Sequence, residues 1–173
     1  MTVRHPTQIL LSTEQIQARV AEMAAEIRRD FPDEVHLIAV LKGAFIFLSD
    51  LVRHLPGKVS MDFMATSSYA KGTTTSGEVK LTKDLDLTLD GRNVIIVEDI
   101  VDSGLTLHYL HEILRARNPK SLRTACLLSK PSRRKITVPV EYIGFEVEDH
   151  FVVGYGLDYA EQYRNLPHIG IVS

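Results

Sequence analysis

Three carboxylates follow one apolar run closely enough to act at a single site. Glu98 and Asp99 come directly after the run VIIV at residues 94–97, and Asp102 lies three residues further along. Carboxylates at such a position suit sugar hydroxyls, a bridging Mg²⁺ ion, or a transition state that carries positive charge. The spacing therefore predicts a polar site where the apolar run ends.

A short polar loop follows the carboxylates and opens into a helix. Ser103 and Thr106 are small and polar, Gly104 tolerates the backbone angles of a tight turn, and LTLHYLHEIL, from Leu105 onward, has amphipathic helical spacing. Unpaired backbone amides and the positive end of a helix dipole favour phosphate at such a loop. We therefore predict an anion site over residues 102–106.

Hydrophobic patterning predicts the elements that position these residues. A β-branched run without alternation, as at residues 94–97, is typical of a strand buried on both faces of a parallel sheet. Further strands are predicted at residues 35–41, 59–67 and 121–128. A capping box of Ser12 and Gln15 predicts a helix, whose apolar face is Ile16, Val20, Met23 and Ile27. The predicted fold is α/β, with a mainly parallel twisted sheet flanked by helices.

Two other predicted strands also end in residues that could do chemistry. Lys42 and Gly43 follow the strand at residues 35–41, and Lys130 follows the strand at residues 121–128. The carboxyl ends of parallel strands line the usual ligand crevice of α/β proteins. We therefore expect these residues on the same edge of the sheet as Glu98 and Asp99.

Residues 67–80 are polar, small and almost devoid of core residues. A segment this long and hydrophilic is typical of a lid, with Gly72 and Gly77 as hinge points. Those glycines also have P-loop spacing, but Glu78 and Val79 stand where that motif requires a lysine and a hydroxyl residue. A P-loop is therefore excluded, and a flexible lid is predicted.

Composition limits the class of protein. The chain has 173 residues, of which 45% are hydrophobic, so a single domain over residues 1–173 is expected. A net charge of -2 argues against nucleic acid as a partner, and the N-terminus has no apolar stretch suited to a signal peptide or a membrane span. Cys126 is the lone cysteine, within the apolar run TACLL, and predicts a buried reduced thiol in a cytoplasmic protein.

Two groups of residues could suggest further sites. His108 and His111 are three residues apart on the predicted helix, but no third ligand is in view, so no zinc site is predicted. The apolar stripe of this helix places both histidines toward the rim of the core. Arg133, Arg134 and Lys135 are interpreted as a solvated basic loop.

The stretch VIIVEDIVDSGLTL resembles the signature of the type I phosphoribosyltransferases, and most closely that of the hypoxanthine-guanine phosphoribosyltransferases. The resemblance implies the type I fold, with a small hood built from the N-terminal segment and residues 142–168. It also implies transfer of the phosphoribosyl group of 5-phosphoribosyl 1-diphosphate to N9 of a 6-oxopurine, with Mg²⁺ as the cofactor. A homodimer or homotetramer is expected.

The same resemblance implies a role for each candidate site residue. Glu98 and Asp99 would hold the ribose hydroxyls, directly or through Mg²⁺, and Asp102 would exchange a proton with N7 of the purine. The implied 5′-phosphate site comprises Asp102, Ser103, Gly104, Leu105 and Thr106. The implied pyrophosphate site comprises Lys42, Gly43 and Arg164, with a cis peptide between Leu41 and Lys42.

The base site and the lid are assigned by resemblance too. Lys130 would donate to the 6-oxo oxygen, Phe151 would stack on the base, and the Val152 backbone would bind its edge. Asp158, placed beside the base, would be a metal ligand together with Glu98 and Asp99, and Ser68 and Tyr69 would head the lid. By strand patterning alone, Phe151 and Tyr155 are better interpreted as alternating core residues.

Two other functional classes remain open at this point. A non-catalytic regulator on the same fold would bind RNA or DNA, although the acidic pair, the lid and Lys130 argue against lost catalysis. A receiver domain would also have an acidic pocket, but it would take its acids from separate strands, whereas Glu98, Asp99 and Asp102 come from one stretch.

Overall fold

The computed structural model describes residues 6–68 and 79–173. Three α-helices are present, α1 (Thr13–Asp30), α2 (Phe45–Arg53) and α3 (Leu105–Arg115), together with a 3₁₀ turn at Pro131–Arg133. The strands are β1 (Pro6–Leu11), β2 (Glu34–Leu41), β3 (Lys58–Ser68), β4 (Val79–Lys83), β5 (Asn93–Val101), β6 (Ser121–Ser129), β7 (Tyr142–Glu146), β8 (Val152–Val153) and β9 (Ile169–Val172).

The main sheet has six strands in the order β4-β3-β2-β5-β6-β7. All neighbours are parallel except β4, which runs antiparallel to β3. Strand β5 lies at the centre, where Val97 pairs with Ala39 of β2 and with Ala125 of β6. The predicted α/β architecture is confirmed, and the carboxyl ends of β2, β5 and β6 meet at one edge.

Each face of the sheet has its own apolar core. Ile95 and Val97 of β5 pack with helices α1 and α2, whereas Val94 and Ile96 pack with helix α3. Successive strand residues point to opposite faces, so this division follows directly from the pleat of β5. The capping box of Ser12 and Gln15 at the start of α1 is also present.

The smaller sheet has three strands in the order β1-β9-β8. It matches part of the hood expected from the N-terminal segment and residues 142–168. However, β7 within that range is the edge strand of the main sheet, because Tyr142 pairs with Ala125 of β6 and Phe145 pairs with Leu128. The hood strands therefore begin at Val152, and the expected boundary at residue 142 is corrected.

The ends of the predicted lid are regular strand. Ser67 pairs with Lys80 and Ser68 pairs with Val79, so β3 and β4 extend into the range 67–80. Cross-strand pairing shortens the predicted loop at both ends. Tyr69, Gly72 and Gly77 lie outside the described residues. Within residues 6–68 and 79–173, no helix is long and apolar enough to span a membrane.

Two histidines and the cysteine are buried in the strands and helices of the main sheet. His111 is 2% exposed and its Nε2 lies 2.8 Å from Thr124 Oγ1, so the expectation that His111 lies at the rim of the core is wrong. His36 is buried as well, and its Nδ1 lies 2.7 Å from Ser60 Oγ. Cys126 is a buried free thiol, and burial raises its pKa to about 12.

Acid is expected to destabilise the fold through the two buried histidines. Burial lowers the pKa of His36 and of His111 below the ordinary value of 6.5. Below pH 6.5 the two histidines therefore bind more protons in the unfolded chain than in the folded chain. The free energy of unfolding falls as pH falls. Each histidine contributes at most about 1.4 kcal/mol per pH unit. Urea unfolding at pH 7.5 and pH 5.5 measures this loss.

A matched pair of variants assigns the effect. His111→Gln should weaken the dependence of the unfolding free energy on pH, whereas His54→Gln, at an exposed position, should leave it unchanged. Equal pH dependence in both variants would show that burial of His111 does not contribute to the loss of stability in acid.

Candidate active site

Asp99 lies against the turn that follows strand β2. A Cβ atom at Gly43 would overlap the Asp99 carboxylate, so the absence of a side chain at Gly43 permits the contact. Asp99 Oδ1 accepts a hydrogen bond of 2.8 Å from the Ile100 amide. Burial raises the pKa of Asp99 to about 6, the negative charge of Asp158 also raises it, and Arg164 lowers it.

Glu98 lies on the opposite side of β5 from Asp99. It lines a cavity of about 90 Å³ whose other walls include Asp102, Ser103, Gly104 and Thr106. Burial raises the pKa of Glu98 well above its ordinary value, and the charge of Asp99 raises it further. The sequence predicts that the two carboxylates hold the ribose together. In the structure they lie on opposite faces, because β5 continues to Val101 and neighbouring side chains of a strand alternate between its faces.

The loop at residues 102–106 has the form expected of an anion site. Gly104 has φ of 86° and is the N-cap of α3, and as a glycine it has no side chain to cap the first amides of that helix. Ser103 Oγ accepts from the Leu105 amide at 3.3 Å, and Ser103 O accepts from the Lys135 amide at 2.9 Å. Thr106, in the first turn of α3, lines the same cavity as Glu98, as an anion site at this helix start requires.

Arg134 fixes this loop to the sheet. Its Nη1 donates to Val101 O at 3.0 Å and to Asp102 O at 2.8 Å, and its Nη2 donates to Ser129 Oγ at 2.9 Å. The interpretation of Arg134 as part of a solvated basic loop is therefore wrong. Sequence patterning missed it because the carbonyl groups that it binds belong to a different strand end.

Lys130 is buried at the end of β6, with 7% of the residue exposed. Its Nζ donates to His150 O at 2.6 Å and lies 3.6 Å from Asp149 Oδ1. Its amide donates to Val101 O at 3.0 Å, which places Lys130 beside the strand end that carries Asp102. A buried ammonium group at this edge supports a specific contact and not a solvated basic loop.

The hood segment has both exposed and buried aromatic residues. Phe151 is 53% exposed, and its ring meets Tyr159 edge to face with a centroid distance of 5.6 Å. Tyr155 is buried, and its hydroxyl donates to Asp50 of α2. Core packing is therefore the right interpretation for Tyr155 and the wrong one for Phe151. Val152 is buried in β8, where it pairs with Ile171.

The other residues predicted to bind pyrophosphate lie around the turn that follows strand β2. The Leu41–Lys42 peptide is cis, as the family resemblance implies. Lys42 Nζ lies 2.9 Å from Glu161 Oε2 in an exposed ion pair. Arg164 Nη2 lies 3.2 Å from Asp158 Oδ1, and a Cβ at Gly156 would overlap Gly43 O, so this part of the hood packs on the turn.

The proposed metal ligands are not all brought together. Asp99 and Asp158 are close enough for the charge of Asp158 to raise the pKa of Asp99, but Glu98 points to the other face. Among the residues described, no group of three or more His, Cys, Asp or Glu side chains could hold a metal ion. Two carboxylates still fit Mg²⁺, which takes oxygen ligands and completes its shell with water and phosphate oxygens.

Comparison with known proteins identifies the family. The Phosphoribosyl transferase domain family matches residues 7–160. The chain belongs to this family. A hypoxanthine-guanine phosphoribosyltransferase of Bacillus subtilis is 52% identical over 95% of this chain and 92% of its own length. A hypoxanthine phosphoribosyltransferase of Escherichia coli is 47% identical over 98% of this chain and 97% of its own length.

Solved structures give the same result for the fold of this phosphoribosyltransferase. A crystal structure of a hypoxanthine-guanine phosphoribosyltransferase from Bacillus anthracis has a TM-score of 0.94 and 50% identity, covering 98% of this chain and all of that one. A hypoxanthine phosphoribosyltransferase from Staphylococcus aureus has a TM-score of 0.93 and 41% identity, covering 97% of this chain and 92% of that one. The type I phosphoribosyltransferase fold is confirmed, and the receiver-domain alternative is excluded.

Proposed function

We propose that this phosphoribosyltransferase transfers the 5-phosphoribosyl group of 5-phosphoribosyl 1-diphosphate to N9 of hypoxanthine, and also to N9 of guanine. The products are a purine nucleoside monophosphate and pyrophosphate, which is a reaction of purine salvage. The observation that carries the choice of base is buried Lys130, an ammonium donor beside Asp102 at the strand ends. The names of relatives that share about half of the sequence support the same choice.

The reaction requires the protein to stabilise the negative charge of the leaving pyrophosphate. Amides of the Lys42–Gly43 turn and the Arg164 guanidinium would bind it, and their position next to Asp99 supports this role. As the glycosidic bond breaks, the ribose gains positive charge, which nearby carboxylates stabilise. Asp99 would hold the ribose hydroxyls, since Asp99 is close to Asp158 and to the turn after β2, whereas Glu98 lines the cavity at residues 102–106.

The 5′-phosphate would bind the loop at residues 102–106. Glu98 lines the same cavity as this loop, and its pKa is raised by burial and by the charge of Asp99. Asp102 remains at the mouth of the cavity, where it would accept a proton from N7 of the base. Phe151, exposed at the hood, would stack on the base, and the Val152 backbone would bind the base edge.

We also propose that Mg²⁺ binds at Asp99 and Asp158. When bound, it neutralises charge on the pyrophosphate leaving group. The two carboxylates and the Arg164 ion pair would position that group against the turn after β2. Burial and the charge of Asp158 raise the pKa of Asp99, so its negative charge is poorly stabilised in this structure. A cation bound between Asp99 and Asp158 would stabilise that charge.

Asp158→Asn is expected to raise the Mg²⁺ concentration that gives half-maximal activity by about 10-fold, since one charged ligand is lost. A titration of activity against Mg²⁺ at saturating substrates measures the change. Asp33→Asn, at an exposed position before β2, serves as the control and should have no effect. An unchanged Mg²⁺ dependence in Asp158→Asn would exclude Asp158 as a ligand.

We also propose an oligomeric state and a cellular location for the protein. We propose a homodimer or homotetramer, as the family resemblance implies. Sedimentation tests this proposal. A lone buried thiol, Cys126, is consistent with action in the cytoplasm.

The experiment that tests the function uses a panel of bases. The protein is incubated with 5-phosphoribosyl 1-diphosphate, Mg²⁺ and one of hypoxanthine, guanine, xanthine or adenine, and products are separated by chromatography. Hypoxanthine and guanine should each give a nucleoside monophosphate and an equal amount of pyrophosphate. Failure of both oxopurines to react would refute the proposal.

A further inference from the structure

Two charged residues connect Asp102 to Lys130 across the mouth of the site. Arg133 Nε donates to Asp102 Oδ1 at 3.0 Å, and Arg133 Nη1 lies 3.5 Å from Asp149 Oδ2. Asp149 Oδ1 in turn lies 3.6 Å from Lys130 Nζ. Carboxylate and cation thus alternate along the series Asp102, Arg133, Asp149, Lys130. We call the middle pair, Arg133 and Asp149, the charge bridge.

The backbone holds the ends of this series at a defined separation. Lys130 is the N-cap of the 3₁₀ turn Pro131–Arg133, and the Arg133 amide donates to Lys130 O at 3.1 Å. The Lys130 amide donates to Val101 O, next to Asp102 in the chain. Backbone contacts therefore bring Lys130 and Asp102 near each other, and side-chain contacts through Arg133 and Asp149 decide where their charged groups point.

The chemistry of an oxopurine requires such control. O6 and N7 of a 6-oxopurine lie on the same edge of the base, so the donor to O6 and the carboxylate facing N7 must be correctly spaced at the same time. With Arg133 on Oδ1 of Asp102, the other carboxylate oxygen remains for N7–H. Lys130 donates one hydrogen to His150 O and has two more, which leaves a donor for O6.

We propose that Arg133 and Asp149 are positioning residues for the 6-oxopurine, which set the spacing of Asp102 and Lys130 without contacting the base. This inference rests on the roles proposed above for Asp102 and Lys130. It assigns a function to Arg133 that the interpretation as a solvated basic loop does not. Half of the Arg133 side chain is exposed, at 51%, so a moderate effect is expected and not an abolition of activity.

The test compares Arg133→Met, Asp149→Asn and the double variant with the unmutated enzyme. Each single variant should lower kcat/KM for hypoxanthine by about 5-fold, the scale of one exposed charge contact, while KM for 5-phosphoribosyl 1-diphosphate stays within about 2-fold. The double variant should be no worse than the more damaged single variant, because both remove the same bridge. Arg133→Lys should recover part of the loss.

Lys135→Ala is the matched control, since Lys135 is an exposed neighbour whose amide, and not its side chain, contacts Ser103. It should behave as the unmutated enzyme. A normal kcat/KM for hypoxanthine in Arg133→Met would overturn the inference. Equal losses for base and donor, or additive losses in the double variant, would overturn it as well, because they would indicate a general structural effect.

Parallel measurements on Asp102→Asn and Lys130→Ala separate this inference from the proposed roles. If those two variants lose activity with the base as expected while Arg133→Met does not, the charge bridge alone is refuted. If those two variants behave as the unmutated enzyme, the roles of Asp102 and Lys130 fail, and the inference fails with them.

Discussion

Adenine is expected to be a substrate about 10⁴-fold worse than hypoxanthine, judged by kcat/KM, since a site built to hydrogen-bond a substrate atom rejects analogues that lack it. Lys130 is the reason. An ammonium group has hydrogens to donate and no acceptor, so it pairs with a 6-oxo oxygen but opposes the hydrogens of a 6-amino group. Because Lys130 is buried, water compensates poorly for a missing partner.

Lys130→Ala should therefore remove most of the preference for oxopurines. We expect a large fall in kcat/KM for hypoxanthine, with KM for the ribose donor nearly unchanged, because Lys130 lies beside His150 and Asp149 and not in the phosphate loop. Steady-state kinetics with each substrate varied in turn measures both. Lys120→Ala, at an exposed position, is the control.

Two outcomes would contradict this assignment. Comparable use of adenine and hypoxanthine by the unmutated enzyme would show that Lys130 does not select the base. A Lys130→Ala variant that uses hypoxanthine normally would show the same, and the interaction with His150 O would then be structural.

Asp102→Asn is expected to lower kcat by about 100-fold or more, the scale of general acid–base catalysis. Asparagine keeps the shape of aspartate and can still accept the hydrogen bond from Arg133 Nε at Oδ1. It cannot take the proton from N7. The variant should therefore bind the ribose donor almost normally while the chemical step slows.

Single-turnover kinetics distinguishes the chemical step from product release, and titration with the donor measures its affinity. Asp90→Asn, at an exposed position outside the site, is the control and should be fully active. An unchanged single-turnover rate in Asp102→Asn would remove Asp102 from proton transfer, and weakened donor binding alone would show that its side chain acts only in the phosphate site.

Features that depend on neighbours along the chain are predicted correctly from the sequence. The run at residues 94–97, the turn around Gly104 and the helix that follows are contiguous, so hydrophobic period and glycine placement predict strand, loop and helix in that order. The capping box of Ser12 and Gln15 is local for the same reason. Lys130 was placed at a strand end by the apolar run before it, and the structure agrees.

Glu98 and Asp99 lie on opposite faces of β5, which shows how a small error in the predicted end of a strand changes the predicted site. The sequence interpretation ended the central strand at residue 97, whereas β5 continues to Val101. Within a strand, neighbouring side chains alternate between faces, so the two carboxylates cannot share one side. Polar residues at a strand end conceal this extension, because pairing of Glu98, Ile100 and Val101 with β6, and not local propensity, maintains the extended conformation.

Contacts between distant segments depend on the tertiary structure alone. Arg133, Arg134 and Lys135 form one basic run in the sequence, yet Arg134 binds carbonyl groups of β5 and its loop while Arg133 pairs with Asp102 and Asp149. Phe151 is exposed although its strand pattern suggests burial, and His111 is buried although it is polar. Local sequence sets the period of each helix and strand, but how these elements pack decides which side chains from remote segments meet and which are removed from water.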